Sequence, residues 1–185
     1  TVTGSASVAI GKRNVTITAA NASKIYGNAD PEFADAVMAN NVTGELGGIS
    51  LAVIRSDAGN DTLGAHDDVL SIAATKAGLE EAYTNYTFTI IPADFTVNVN
   101  ETDLTVSAED VEVTYDGNSY GVSAEASLEG AAIRYKDAEG NYTLETSPVY
   151  REAGDYTIEF QAELYGYTTV TGSASVAIGK RNVTI

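Results

Sequence analysis

The chain repeats itself without a substitution. Thr1–Ile17 reads TVTGSASVAIGKRNVTI, and the same string returns as Thr169–Ile185, 168 residues later. Old repeats drift at neutral positions, so perfect identity marks a tandem array of near-identical units. The chain then holds one full period and the opening of the next. An artificially duplicated terminus would give the same string and is the weaker alternative. The array reading constrains the fold directly, because the last strand of one unit must lead into the first strand of its successor.

A weaker repeat divides the period in two. Val15-Thr16-Ile17-Thr18-Ala19 corresponds to Leu104-Thr105-Val106-Ser107-Ala108, and Lys24-Ile25-Tyr26-Gly27-Asn28 to Val113-Thr114-Tyr115-Asp116-Gly117-Asn118 with one insertion. The closing segments also agree: Asn85–Ile90 with Asp94–Val97 parallels Gly166–Val170 with Ser173–Val176. The expected layout is residues 1–12 as the final strand of a preceding copy and 13–100 as a first β-domain. A second β-domain follows at 101–179, and 180–185 begins the first strand of the next copy.

Period-two alternation sets the fold class. Phe95, Val97 and Val99 alternate with polar neighbours, as do Val15 and Ile17, Val111, Val113 and Tyr115, and Tyr156, Ile158, Phe160 and Ala162. Such runs are strands with one buried face. Asp116-Gly117, Glu139-Gly140 and Gly47-Gly48 punctuate them as turns. The expectation is all-β: two β-rich domains in tandem, the second an Ig-like sandwich, the first sandwich-like or β-grasp-like. Helix is confined to short pieces at 31–41 and 74–84.

Composition removes several functions. Ten basic against 26 acidic residues give a net charge of −16, and one period alone, without Lys180 and Arg181, carries −18. Nucleic acid and anionic lipid demand clustered Lys and Arg, so neither is an expected partner. The negative surface would keep neighbouring copies soluble. There is no cysteine, which excludes disulfides and thiol chemistry and favours a bacterial surface protein over a secreted eukaryotic one. No apolar run reaches membrane-spanning length and no signal peptide opens the chain, as expected of an internal segment.

The sequence carries no catalytic constellation, and an enzyme is not expected. His66, the lone histidine, sits among carboxylates in Gly64-Ala65-His66-Asp67-Asp68 and reads as a solvated loop residue. Gly179-Lys180-Arg181 lacks the Ser/Thr and the upstream glycine of a phosphate loop. Asp57, Asn60, Asp61, Asp67 and Asp68 form the one oxygen-rich loop able to attract calcium, although its spacing is not that of an EF-hand. Otherwise no cofactor is expected. Eight Asn-x-Ser/Thr triplets, at Asn14, Asn21, Asn41, Asn60, Asn85, Asn100, Asn141 and Asn182, follow from Asn/Thr-rich composition. Lys24, Lys76 and Lys136 are candidates for an isopeptide bond. Tyr120, Tyr142 and Tyr165 lie outside the strand patterns and are the candidate ligand contacts.

Ala22-Ser23-Lys24-Ile25-Tyr26-Gly27-Asn28-Ala29-Asp30-Pro31-Glu32-Phe33 resembles the SKxYGxxDPxF opening of the MBG domain of YGX type. Arg55-Ser56-Asp57-Ala58-Gly59-Asn60-Asp61-Thr62-Leu63-Gly64 resembles that family's central R-x-x-G stretch, and Asn85–Ile90 with Asp94–Val97 its close. The glycine usual before the last strand is replaced near Pro92-Ala93. In the second domain Tyr115-Asp116-Gly117, Ser147–Tyr150, Ala153–Thr157 and Gly166-Tyr167 followed by Val170–Ala174 resemble bacterial Ig-like repeats. These resemblances imply an extracellular, wall-attached surface protein of adhesin or stalk type.

The joints complete the expectation. Val97-Asn98-Val99 passes through Asn100-Glu101-Thr102 into Asp103–Val106, and Val176-Ala177-Ile178 through Gly179-Lys180-Arg181 into Asn182–Ile185, with no flexible tether. A strand of about ten to twelve residues spans roughly 35–40 Å, so one period would advance on the order of 80 Å. The expected role is a stiff stalk whose partners are adjacent copies of itself. The alternatives are an adhesin repeat binding host glycan or surface protein by avidity, and a strand-exchange polymer.

Overall fold

The computed structural model describes residues 3–184, which divide between Asn98 and Val99 into two units. The division falls two residues before the expected boundary after Asn100. Asn100 is tied into the second unit: its N–H donates to Gly166 O at 2.8 Å and its carbonyl accepts from Thr168 N at 2.9 Å.

The first unit contains β1 (Arg13–Thr18), β2 (Ala22–Ile25), β3 (Val37–Ala39), β4 (Val53–Arg55), β5 (Gly64–Ile72), α1 (Lys76–Ala82), β6 (Tyr86–Ile91) and β7 (Ala93–Asn98). One sheet has the order β3-β1-β6, with β1 and β6 parallel. The other has the order β2-β7-β5-β4, with β2 and β7 parallel. Alternation turns Val15, Ile17 and Phe88 inward from the first sheet and Leu70, Phe95 and Val97 inward from the second, into one core. Only Pro92 separates β6 from β7. Lacking an N–H, proline cannot continue a ladder, and the chain changes sheets there. This two-sheet packing is a sandwich, which resolves the β-grasp alternative.

Helix α1 lies within the expected segment 74–84. Thr75 caps it, its hydroxyl accepting from Gly78 N at 3.2 Å, and Leu79 buries into the core. The helix expected at 31–41 is absent. Phe33 packs edge-on against Phe95 at 5.8 Å, Ala36 N–H donates to Leu51 O, and Val37–Ala39 pairs antiparallel with β1. Tertiary pairing overrides a marginal local helical preference here.

The second unit contains β8 (Val106–Ala108), β9 (Val111–Thr114), β10 (Ala124–Ala126), β11 (Ala132–Lys136), β12 (Tyr142–Leu144), β13 (Gly154–Glu163) and β14 (Val170–Gly179). A five-stranded sheet, β12-β11-β13-β14-β9, faces a two-stranded one, β10-β8, across Ile158, Phe160, Ala174, Val176 and Ile178. Tyr135 crosses this layer, its hydroxyl accepting from Ala124 N at 2.9 Å. The result is the Ig-like sandwich that the resemblance of the second domain implied, built from the strands that the alternation marked.

The duplicated segment occupies two structural states. Thr171–Gly179 lies in β14 between β13 and β9, with Val176 fully buried, whereas its copy Thr3–Gly11 forms no strand and Val8 is 86% exposed. The reverse holds for the second half. Arg13–Thr16 lies in β1 with Val15 fully buried, while Arg181–Thr184 is unpaired and Val183 is 80% exposed. Thr1, Val2 and Ile185, which the expected strands at 1–12 and 180–185 include, lie outside the described residues.

Candidate functional site

The densest polar cluster lies in the first unit and is built from the motif residues. Ile25–Asn28 forms a β-turn, Asn28 N–H donating to Ile25 O at 3.1 Å, with Gly27 in its third position at φ 88°. A side chain is disfavoured at that angle, which explains the glycine of the motif. After the turn the chain brings Asp30 to Lys24 of β2, with Nζ 2.9 Å from Oδ1. Lys24 also pairs with Asp61 at 2.6 Å.

Arg55, at the end of β4, is the hub. Nη1 donates to both oxygens of Asp30 at 2.9 and 3.1 Å, Nε donates to Asp57 Oδ1 at 2.7 Å, and Nη2 donates to the carbonyl of Asn60. The guanidinium lies 4.1 Å from the centroid of the buried Phe95 ring. His66 on β5 completes the cluster. Its Nδ1 is 2.5 Å from Asp57 Oδ2 and its Nε2 is 2.8 Å from Thr62 O. Both ring nitrogens therefore have an acceptor as their nearest partner, with the donors Asn60 Nδ2 and Thr62 Oγ1 farther off at 3.4 and 3.3 Å, an arrangement that favours the doubly protonated ring.

The electrostatics agree with this geometry. The Arg55 hydrogen bond, outweighing burial, holds the Asp57 carboxyl down at about 2. The Thr62 carbonyl, then Asp57, raises the His66 pKa. Asp61 raises that of Lys24. Burial pushes Asp30 up, but the hydrogen bonds from Lys24 and Arg55 prevail and its pKa falls. Three cations thus face three carboxylates, with Lys24, Arg55 and His66 all buried. Such a balanced, hydrogen-bonded set fixes how β2, β4 and β5 sit on Phe95, and each cation justifies the burial of its neighbour.

This arrangement corrects two expectations. His66 is a buried strand residue paired with Asp57, not a solvated loop residue. The five proposed calcium ligands do not converge. Asp57, Asn60 and Asp61 are engaged by Arg55, His66 and Lys24, while Asp67 and Asp68 sit exposed on β5 at a bulge where Asp68 has φ 55°. Among the described residues no group of three or more His, Cys, Asp or Glu is arranged to hold a metal ion. The sequence reading missed Lys24, Asp30 and Arg55 as one unit. Their signal was present, since they are the charged letters of the two family motifs.

The remaining candidates are dispersed. Tyr120 pairs in a β-bridge with Tyr150 and its hydroxyl donates to Asp116 at 2.7 Å. Tyr142 lies in β12 with Lys136 Nζ 5.8 Å from its ring centroid, and Tyr165 occupies the β13–β14 turn, 61% exposed. Of the isopeptide candidates, Lys24 is held as an ammonium between two carboxylates and is no nucleophile in that state. Lys76 lies 3.9 Å from Glu80 and Lys136 2.6 Å from Glu159, both ordinary ion pairs.

Comparison with known proteins follows the same division. No curated protein matches the chain. The solution structure of the PKD domain of human KIAA0319 is similar at 15% identity, covering 48% of this chain and 89% of its own, with a TM-score of 0.35, too slight a likeness to carry a fold argument. Residues 15–96 match the family model of the MBG domain (YGX type). That span contains every member of the Lys24–Arg55–His66 network, so the network lies wholly within the stretch that is similar to the MBG domain of YGX type.

Proposed function

We propose that the chain is one period of a tandem array in a long bacterial cell-surface protein, where paired β-domains act as a stiff spacer carrying a distal region away from the wall. The shortness of both joints carries this reading. Asn98 is the last residue held by the first unit, its carbonyl accepting from Tyr26 N at 2.8 Å, and Asn100 is already held by the second. Val99 alone lies between them.

The duplicated segment supplies the other joint. Gly179 ends β14, its carbonyl accepting from Tyr115 N at 2.8 Å, and its counterpart in the repeat is Gly11. Arg13 opens β1, its N–H donating to Asn85 O at 2.9 Å. In the array Lys12, the counterpart of Lys180, alone lies between the two domains. One residue offers two soft torsions, far from the slack of a flexible linker.

The MBG match supports a surface location and a non-catalytic role, and the acidic composition suits crowded neighbouring copies. Insertion of a five-residue Gly-Ser segment after Val99 in every period tests the spacer role. The expected result is a clear loss of end-to-end reach without loss of domain stability. Unchanged reach would refute stiffness at this joint.

A second reading, an adhesin repeat for host glycan or protein, is favoured by the exposure of Tyr165. Presented once per period, together with Tyr120 and Tyr142, weak contacts would sum along the array. Saturable glycan binding by a single period, lost on Tyr165→Ala, supports this reading over the spacer alone.

A further inference from the structure

We propose that the chain carries asparagine-linked sugar, with the side-chain amides of Asn21, Asn41, Asn85 and Asn141 as acceptors. Each opens an Asn-x-Ser/Thr triplet, the pattern of such acceptors in exported proteins. Placed independently, twelve asparagines and 34 serines and threonines in 185 residues would form about two triplets. Eight occur, seven of them distinct within one period, so composition does not explain them.

The fold explains two. In the Asn60 triplet the N–H and hydroxyl of Thr62 donate to Asn60 Oδ1 at 3.3 and 3.1 Å. In the Asn100 triplet Thr102 donates in the same way to Asn100 Oδ1, at 3.1 and 3.4 Å. The spacing there closes a local turn onto the asparagine side chain, a structural use. Both amide nitrogens are also engaged, Asn60 Nδ2 donating to Asp57 at 3.3 Å and Asn100 Nδ2 to Asp103 at 2.7 Å. Asn100 is 3% exposed, so a sugar there is incompatible with the fold. Asn14, which recurs as Asn182, lies within β1 between β3 and β6, its Oδ1 accepting from Thr87 and Thr89. Set inside a sheet, it is not counted among the acceptors.

The remaining four lie where a bulky substituent has room. Asn21, Asn85 and Asn141 stand immediately before β2, β6 and β12, Asn41 stands two residues beyond β3, and all four are exposed. The hydroxyls of their triplets do not turn back on them: Thr87 donates to Asn14 and Thr143 to Asp137. Asn21 Oδ1 accepts from Asp94 N at 3.0 Å. A sugar on Nδ2 replaces one N–H and leaves that oxygen free to accept.

The chain is the substrate and a transferase supplies the catalysis. Nδ2 bonds to the anomeric carbon of a sugar activated as a diphosphate ester. The bond from that carbon to the diphosphate oxygen breaks with its electron pair, and one amide proton passes to a base of the transferase. The proposal rests on the extracellular location and not on the tandem array or its stiffness.

The test is peptide mass spectrometry with electron-transfer fragmentation, which assigns a sugar to one side chain, on the chain as secreted by the cells that make it. Sugar is expected on Asn21, Asn41, Asn85 and Asn141, and none on Asn60 or Asn100. Thr43→Ala is expected to lower occupancy of Asn41 at least tenfold, and Thr43→Ser to retain it. Thr43 is exposed, so neither substitution threatens the fold. Protease shaving of intact cells reads the location separately. Four bare asparagines on a chain that is shaved overturn the proposal and leave the surface location standing, while a chain retained inside the cell overturns both. Sugar on the threonines instead, or unchanged occupancy of Asn41 in Thr43→Ala, also overturns it.

Discussion

At the scale of single residues, the account rests on Arg55. Its side chain is 1% exposed, grips two carboxylates and covers Phe95, so its removal strands Asp30 and Asp57 in a poorly solvated site. Arg55→Ala is expected to cost the first domain about 3–5 kcal/mol, the usual price of breaking a buried ion pair. Hydrogen exchange of the β7 amides, Phe95 and Val97 among them, measures the loss, and amides of β13 serve as the internal control. Arg55→Lys is expected to recover only part of it, because an ammonium cannot bind Asp30 and Asp57 in a fork.

The same network makes stability depend on pH at both ends. Asp57 has a depressed pKa, about 2 against 3.8, so its stabilisation is whole above pH 3.8 and is lost as pH falls through 2. His66 has a raised pKa, so its stabilisation is whole below pH 6.5 and is lost as pH climbs through its higher folded value. Urea midpoints of the first domain across pH 2 to 9 are expected to fall at both extremes. Asp57→Asn removes the contribution at the acid end and His66→Gln at the alkaline end. A profile unchanged by either substitution contradicts the assigned pairing.

At the scale of elements, the duplicated segment is a controlled comparison that the chain performs on itself. One sequence is a central strand beside β13 and an unpaired segment before β1, which shows that its β structure comes from neighbours and not from intrinsic preference. Amides of Val176 and Ile178 are expected to exchange orders of magnitude more slowly than those of Val8 and Ile10, measured by nuclear magnetic resonance on the intact chain. Equal rates would mean that β14 is not held in the sheet.

This contrast also marks what the sequence made legible. Strands such as β13 and β7 were readable because Tyr156–Ala162 and Phe95–Val97 alternate strictly. Segment 31–41 was not, because its conformation depends on Phe33 meeting Phe95 and on Val37–Ala39 meeting β1, contacts formed by residues distant in the chain. The buried site was half legible. Lys24, Asp30 and Arg55 stood out as motif letters, but only folding shows that His66 joins them and that the loop carboxylates already have cationic partners.

At the scale of the whole molecule, two folded units are joined through Val99, and the repeat implies a second joint of one residue at Lys180. On the proposed spacer reading, domains so connected would extend an array by a fixed increment, and the high negative charge would keep parallel arrays from associating. Small-angle scattering of arrays of one, two and four periods tests this most directly. The maximum dimension is expected to grow linearly, by roughly 80 Å per added period for domains about one strand long. Growth with the square root of the number of periods, the behaviour of a freely jointed chain, would contradict it.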